Sequence, residues 1–294
     1  MIPIRPKNEI VEQYKKDVIC YILKKRGGKK KLALINENLR KVKDDLTLDK
    51  LLAMDCDELE NLKNDYKKYK RTKVILSIKN RGCYTFTIFR TYYEDFFSKS
   101  NGAKFISNLG VAVCPYCNRN YIYNATKERT AQIDHFISQA EYPIFALSFY
   151  NLVPCCPSCN KFKSDEETKI INPYDKRLNT DTFKFYAMQK SVNHFDLVIN
   201  SQNKPALKDM NDVLKLKDLY LHHSYLADEL YQKHLVLSDD YIDSLRKEFF
   251  EKLCAVTSND FMRFLLGNYG SDADFLKRSL SKATKDIAIQ FELL

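Results

Sequence analysis

Hydrophobic and polar residues recur with helical spacing along the first seventy residues of the chain. Over 8–26 and 35–70, apolar side chains return every three to four positions among charged ones. Leu39, Val42 and Leu46, at positions i, i+3 and i+7, are an example. This period predicts amphipathic helices that bury one face.

The pattern changes after residue 70. The stretches "KVILSI" (73–78) and "CYTFTIF" (83–89) are rich in β-branched and aromatic residues, which is typical of extended chain. Residues 91–98 suit a helix equally well. We therefore expect a first region, 1–105, that is mainly helical with some strand.

Two further regions follow, 106–175 and 176–294, and they differ in character. The region 106–175 is rich in cysteine, is punctuated by proline and contains short strand candidates. After it, "TFKFYAM" (182–188) and "FDLVIN" (195–200) predict two strands separated by a turn, and helical periodicity then continues to the end.

Positive charge is concentrated in the N-terminal region. The chain has a formal net charge of +10, and residues 1–105 contain 25 Lys and Arg against 14 Asp and Glu. The run "KKRGGKKK" (24–31) is the densest part. Such clustering is expected of a protein that meets a polyanion, although a solvated lysine-rich loop gives the same pattern.

The sequence predicts a soluble cytoplasmic protein. No N-terminal secretion signal is recognisable, and the longest apolar stretch, "YPIFALSFYNLVP", is too short to span a bilayer. Nine cysteines in a chain of 294 residues do not suggest a disulfide framework. Cys20, Cys56, Cys83 and Cys254 lie in apolar or helical contexts and are expected to be packing residues.

The other cysteines predict a metal site. Cys114 and Cys117 form one CxxC turn, and Cys156 and Cys159 form a second about forty residues later. Zinc prefers four such ligands in a tetrahedron, and four thiolates leave no open position for water. We therefore expect structural Zn²⁺. Cys155 fits the spacing less well and is expected to be a buried neighbour.

Residues that can bind a cation or accept a proton lie between and beside the two CxxC turns. "QIDHF" predicts a strand that ends with Asp134, a hard oxygen ligand, beside His135, a proton acceptor near neutral pH. Asn151 follows in "SFYNLVP", and Asn160 follows directly after the second cysteine pair. A lone histidine is more often structural, but this one lies between two matched cysteine turns.

This pattern resembles the HNH endonucleases, also called ββα-metal nucleases. The resemblance covers about residues 111–170 and implies an α+β protein with a zinc-stapled ββα-metal core, similar to a treble clef, flanked by mainly helical regions. It implies that His135 is the general base and that Asp134 and Asn160 bind the catalytic cation. Asn151 would hold the loop against the base. At the last position of the family's motif this chain has Asn160 instead of His, which makes it an HNN variant.

The resemblance also implies the cofactors and the substrate. Phosphodiester hydrolysis needs a base for the attacking water and a cation on the phosphate. One carboxylate and one amide oxygen suit Mg²⁺ or Mn²⁺. Arg119, Lys161 and Lys163 are expected to contact phosphates. DNA is the expected substrate, and RNA is an alternative because the chemistry does not need a 2′-hydroxyl.

Asn160 has a second interpretation. Asn118 occupies the same place after the first cysteine pair, where no ligand is expected. Asparagine tolerates the left-handed backbone conformation that such a turn can require. Asn160 could therefore serve the turn alone.

The central phrases are most similar to HNH proteins of bacterial anti-phage systems such as the Septu type. In these systems the nuclease works with a separate SMC-like or ABC-type ATPase, which implies an ATPase partner and a role in defence. The chain has no Walker-type phosphate loop of its own. The alternative from another class is a non-catalytic, zinc-stapled nucleic-acid-binding or adaptor protein.

Overall fold

The N-terminal part of the protein is helical. The computed structural model describes residues 1–77, 86–98, 100–124, 131–164, 170–200, 205–253 and 255–294. The first helices are α1 (Asn8–Lys24), α2 (Gly28–Arg40), α3 (Leu48–Ala53), α4 (Cys56–Ser77), α5 (Ile88–Phe97) and α6 (Ser100–Leu109).

Helix α1 forms because its apolar residues recur at helical spacing. Its buried stripe consists of Val11, Tyr14, Val18 and Ile22. The Tyr14 ring lies 5.5 Å from Phe105 and 5.4 Å from Phe149, and its hydroxyl donates to the Leu147 carbonyl at 2.8 Å. Cys20 lies off this stripe and is exposed, so its predicted packing role is wrong. The stripe joins the N-terminal helices to the loop that precedes Asn151.

The extended conformation predicted after residue 70 is wrong where the structure describes it. Helix α4 continues to Ser77, and α5 begins at Ile88. The other residues of the two stretches, 78 and 83–85, lie outside the described residues. They include Cys83, and Cys254 also lies outside the described residues. Adding a residue to an existing helix is favourable, and β-branched side chains cost only a few tenths of a kcal/mol. The preceding helical run therefore outweighs the local preference.

A small hairpin and a short helix form the centre of the chain. Strand β1 (Gln132–His135) pairs antiparallel with β2 (Leu152–Cys155), so that Asp134 lies opposite Val153. Helix α7 (Pro157–Lys163) follows at once, with Pro157 in its first turn, where its missing N–H is not needed. The strand predicted to end in Asp134 and His135 is confirmed.

The C-terminal part begins with a second hairpin, β3 (Lys184–Ser191) and β4 (His194–Asn200), which pair antiparallel as the sequence predicts. The helices that follow are α8 (Pro205–Leu214), α9 (Leu216–Leu221), α10 (Tyr225–Val236), α11 (Asp239–Lys252), α12 (Ser258–Leu266) and α13 (Ser281–Gln290).

Helix α13 covers the edge of β3. Asp286 accepts a hydrogen bond from the Phe185 N–H at 3.0 Å. Gln290 accepts from the Ala187 N–H at 2.8 Å and donates to the Ala187 carbonyl at 2.9 Å. These side chains satisfy edge groups that would otherwise be open to another strand.

Buried apolar residues from all three regions belong to one continuous core. The chain is therefore a helix-rich mixed fold with small two-stranded sheets, and the division at 105 and 175 and the treble-clef detail stay predictions. Among the helices of the described ranges, none combines the length and apolar character needed to cross a bilayer.

Candidate active site and metal centre

The four predicted cysteine ligands come together in a buried cluster. The Sγ atoms of Cys114, Cys117, Cys156 and Cys159 all lie within 4.8 Å of one another. Tetrahedral zinc with bonds of about 2.3 Å places sulfurs about 3.8 Å apart, so these residues fit the ion. The structure confirms that the two CxxC turns meet, and Cys155 is buried outside the cluster.

Neighbouring N–H groups support the negative charge that thiolates bring. The Arg119 N–H donates to Cys117 Sγ at 3.4 Å, and the Asn120 amide donates to Cys156 Sγ at 3.3 Å. Burial raises the pKa of Cys114, whereas hydrogen bonds from the other three thiols lower the pKa of Cys156. The cluster is therefore suited to holding a cation.

Asn118 performs the role that its sequence position suggests. Its φ of 51° lies in the left-handed region. Its buried amide donates to the Phe275 carbonyl at 2.7 Å and accepts from the Lys282 N–H at 3.1 Å. The first cysteine turn is thus attached to the C-terminal region.

Asp134 lies in a buried hydrogen-bonded group. The Tyr116 hydroxyl donates to Asp134 Oδ2 at 2.6 Å, and Lys163 Nζ lies 3.2 Å from the same oxygen and 3.3 Å from Oδ1. Burial, together with the Asp134 charge, raises the pKa of Tyr116 well above its ordinary value, so that Tyr116 remains a donor. The carboxylate is held from two sides.

Lys163 is completely buried, in contrast to the phosphate-contacting lysine expected from the sequence. Its ammonium also lies 3.4 Å from the His135 carbonyl and 5.3 Å from the centre of the Phe136 ring. The structure therefore places Lys163 against Asp134. Contact with a phosphate stays a prediction and would require this ammonium to move away from the carboxylate.

His135 has a different set of neighbours. Its Nε2 lies 3.1 Å from the Ala146 carbonyl, and the Tyr93 ring of α5 packs edge-on with centroids 4.3 Å apart. Because a carbonyl can only accept, Nε2 carries the proton and Nδ1 is the basic nitrogen of the neutral ring. Neighbours on a strand point to opposite sides, and Asp134 and His135 accordingly contact different elements.

Asn151 joins the two ends of the loop after His135. Its carbonyl oxygen accepts from the Ile137 N–H at 2.6 Å. Its amide nitrogen donates to the carbonyls of Ile137 and Phe145, both at 3.1 Å. Since Phe145 precedes the Ala146 carbonyl that contacts His135, this buried amide positions the ring. Its effect on catalysis stays a prediction.

Asn160 lies inside α7 and is half-buried. Its amide nitrogen donates to Gln132 Oε1 at 2.6 Å, which leaves its carbonyl oxygen for another partner. The left-handed backbone that accounts for Asn118 does not account for Asn160, because Asn160 is helical. The requirement of the turn therefore does not explain this asparagine.

Helix α7 crosses one face of β1. Asn160 lies over Gln132 and Lys163 lies over Asp134, in agreement with the alternation of side chains along a strand. This face carries the oxygen donors of Asp134 and Asn160, which suit a hard cation such as Mg²⁺. His135 contacts the other side of the strand end.

Arg119 and Lys161 are the remaining residues that were predicted to contact phosphates. Arg119 Nε donates to His223 Nε2 at 3.0 Å, and its guanidinium lies 5.9 Å from the Tyr220 ring. Lys161 is exposed on α7. Sequence reasoning missed Tyr116 and Tyr93. Tyr116 lies within "CPYCN", but only the folded chain shows that its hydroxyl contacts Asp134.

Comparison with known proteins gives a family match for the central segment of the chain. Residues 114–166 match the model of the HNH endonuclease family, a match that begins at the first cysteine ligand and includes both Asp134 and Asn160. Protein ea31 of Escherichia phage lambda is 36% identical over 91 residues, which cover 29% of this chain and 25% of that protein. The chain thus spans about a quarter of that relative's length. No solved structure gives a significant match.

Proposed function

We propose that this chain is a metal-dependent HNH endonuclease that hydrolyses phosphodiester bonds in DNA. One observation carries the proposal: the segment that matches the HNH family, 114–166, coincides with the unit in which β1, β2 and α7 surround Asp134. The cysteine cluster lies in the same unit, and an ion bound by its four thiolates would hold the ends of that segment together.

His135 acts as the base in this proposal. The Ala146 carbonyl fixes the tautomer in which Nδ1 accepts a proton, and Tyr93 restricts the ring from one side. A base that is already oriented loses little entropy when it meets the attacking water. Asn151 contributes by fixing the loop that carries Ala146.

Asp134 and Asn160 hold the catalytic cation in this proposal. Mg²⁺ or Mn²⁺ at these oxygens would stabilise charge on the phosphate and on the departing oxygen. Tyr116 keeps the Asp134 carboxylate oriented, and Lys163 neutralises it when no cation is bound. Zinc at the four sulfurs has a structural role, because such a site is closed to water.

The biological setting is a further part of the proposal. The resemblance to nucleases of anti-phage systems supports a defence role beside an SMC-like or ABC-type ATPase in the cytoplasm, where the thiols stay reduced. The lambda relative shows that a similar segment also occurs in a phage protein. Within a defence complex, the regions 1–105 and 176–294 would bind the ATPase and the nucleic acid.

Cleavage assays with defined cations test the nuclease proposal. Supercoiled plasmid and a single-stranded RNA are incubated with the purified protein in Mg²⁺, in Mn²⁺ and in excess chelator. We expect nicked or linear plasmid with either cation and none with the chelator. If only the RNA is cleaved, the substrate is RNA and not DNA. Binding that needs no cation and produces no cuts would contradict the nuclease proposal.

A non-catalytic binding protein is the second candidate, and one observation favours it. A buried carboxylate paired with a buried lysine is what a purely structural aspartate requires. Binding of Mn²⁺ separates the candidates. An active site binds Mn²⁺ through Asp134, so Asp134→Asn abolishes the binding, whereas a structural aspartate gives no Mn²⁺ binding in either protein.

A further inference from the structure

The C-terminal end of α4 presents a group of exposed basic side chains. We call Lys67, Lys68, Lys70 and Arg71 the α4 basic patch, and all four are exposed. No acidic residue follows Asp65 in this helix. Four positive charges within five residues create a strong local potential.

Three of the four patch residues are cations that no carboxylate of the described residues compensates. Across the part of the chain that the structure describes, Lys67, Lys70 and Arg71 form no ion pair with Asp or Glu. Many other surface lysines do: Lys41 lies 2.7 Å from Glu37, and Lys252 lies 2.8 Å from Glu248. Uncompensated cations release counterions when they meet phosphates, and this favours a polyanion as partner.

The patch contacts the loop that positions the candidate base. Lys70 Nζ donates to the Glu141 carbonyl at 3.3 Å, and Lys67 Nζ lies 5.7 Å from the centre of the Tyr142 ring. Five residues after Glu141 in the same loop, the Ala146 carbonyl contacts His135. The same loop therefore contacts both the α4 basic patch and His135.

We propose that the α4 basic patch binds the sugar-phosphate backbone of a DNA duplex whose scissile phosphate lies at His135. This inference rests on the proposed nuclease function. The backbone of DNA carries the regularly spaced negative charges that such a patch complements, and contacts of this kind fix position without reading sequence. It also assigns a role to α4, which lies outside the segment that matches the HNH family.

The basic run at 24–31 provides a matched control. Lys29, Lys30 and Lys31 are exposed at the start of α2 and carry a charge equal to that of three patch residues. Within this run, Lys25 pairs with Asp95 of α5 and lies over the Tyr21 ring of α1, so its side-chain contacts are made to helices α1 and α5. Neutralising it removes the same charge from a different surface.

Binding is measured in proteins that also carry His135→Ala, so that cleavage does not interfere. The patch variant is Lys67→Gln, Lys70→Gln and Arg71→Gln, and the control is Lys29→Gln, Lys30→Gln and Lys31→Gln. Fluorescence anisotropy with a short labelled DNA duplex gives Kd over a range of salt concentrations. We expect the patch variant to bind about tenfold more weakly or worse, and its salt slope to fall by about two to three, at about 0.9 for each phosphate contact.

Two comparisons decide the outcome. The control variant should keep Kd within about twofold, and a variant that retains charge, Lys67→Arg, Lys70→Arg and Arg71→Lys, should bind like the parent. Equal losses in the patch and control variants, an unchanged salt slope, or a loss seen with an RNA duplex alone would each overturn the inference. If the parent protein with His135 intact does not cleave DNA, but the patch variant still binds DNA more weakly than the control variant, the α4 basic patch is a DNA-binding surface and the nuclease proposal is contradicted.

Discussion

The ammonium of Lys163 lies 3.2 Å from Oδ2 of Asp134, and these side chains are only 1% and 6% exposed. Both charged groups are shielded from solvent, so each is stabilised by the opposite charge of the other. The carboxylate expected to bind a catalytic cation therefore has a cation of the protein itself beside it. An incoming metal ion must share Asp134 with Lys163 or take its place.

Lys163→Met tests this pair. It leaves the Asp134 charge buried without its partner, and we expect the free energy of unfolding to fall by about 3–5 kcal/mol. The double variant with Asp134→Asn should recover much of that loss, because no buried charge remains. Urea denaturation gives both values. Lys161→Met, on the exposed side of the same helix, is the control and should change stability by less than about 0.5 kcal/mol. A Lys163→Met protein as stable as the parent would show that the pair contributes nothing.

The cysteine cluster predicts one zinc ion in each chain. Cys117→Ser removes a ligand, so we expect loss of zinc by elemental analysis and a large decrease in Tm, because metal binding and folding are coupled. Cys20→Ser, at an exposed cysteine on α1, should keep zinc and Tm unchanged. Full zinc content in the Cys117→Ser protein would exclude this residue as a ligand.

Asn160 and Asn118 should respond differently to alanine. Asn160 is helical, so Asn160→Ala is expected to keep zinc and stability while cation-dependent cleavage falls about 100-fold or more. Asn118→Ala puts alanine, which tolerates the left-handed region less well than asparagine, at a φ of 51° and removes buried hydrogen bonds, so it should lower stability by about 2 kcal/mol or more. Circular dichroism and the cleavage assay measure both effects. Undiminished cleavage by Asn160→Ala would remove Asn160 from the active site.

Acid should weaken the protein through carboxylates such as Asp175. Burial raises the pKa of Asp175, but the hydrogen bonds of Arg177 outweigh burial and hold the pKa below its ordinary value of 3.8. A lowered pKa contributes stability that is fully present above the unfolded value and is lost as pH falls through the folded value. Asp175→Asn should therefore destabilise the protein at about pH 6 and have less effect at about pH 3. A destabilisation equal at both pH values, measured by denaturant unfolding, would exclude this ionic contribution.

Much of the central site can be predicted from the sequence because its signals are local. Two CxxC turns define a zinc site by their own spacing, and the strand pattern of "QIDHF" places Asp134 and His135 side by side at the end of β1. The α4–α5 region was less predictable. "KVILSI" has β-branched residues, yet it continues a helix whose preceding turns are already formed.

Other features depend on contacts between distant residues and leave no local pattern. Tyr93 reaches His135 from a helix more than forty positions earlier, and nothing in its surroundings marks it. Lys163 carries a charge that normally stays in water, and only its position one helical turn after Asn160 brings it to Asp134.

Comparison of two histidine variants tests the central claim most directly. Initial rates of plasmid cleavage in Mn²⁺ are measured for the parent protein, His135→Ala and His194→Ala, where His194 is an exposed residue 3.0 Å from Asp228. If His135 is the base, its removal should lower the rate by about 100-fold to 10,000-fold, and His194→Ala should cleave at the parental rate. A His135→Ala protein that cuts as fast as the parent would contradict the assignment of this site.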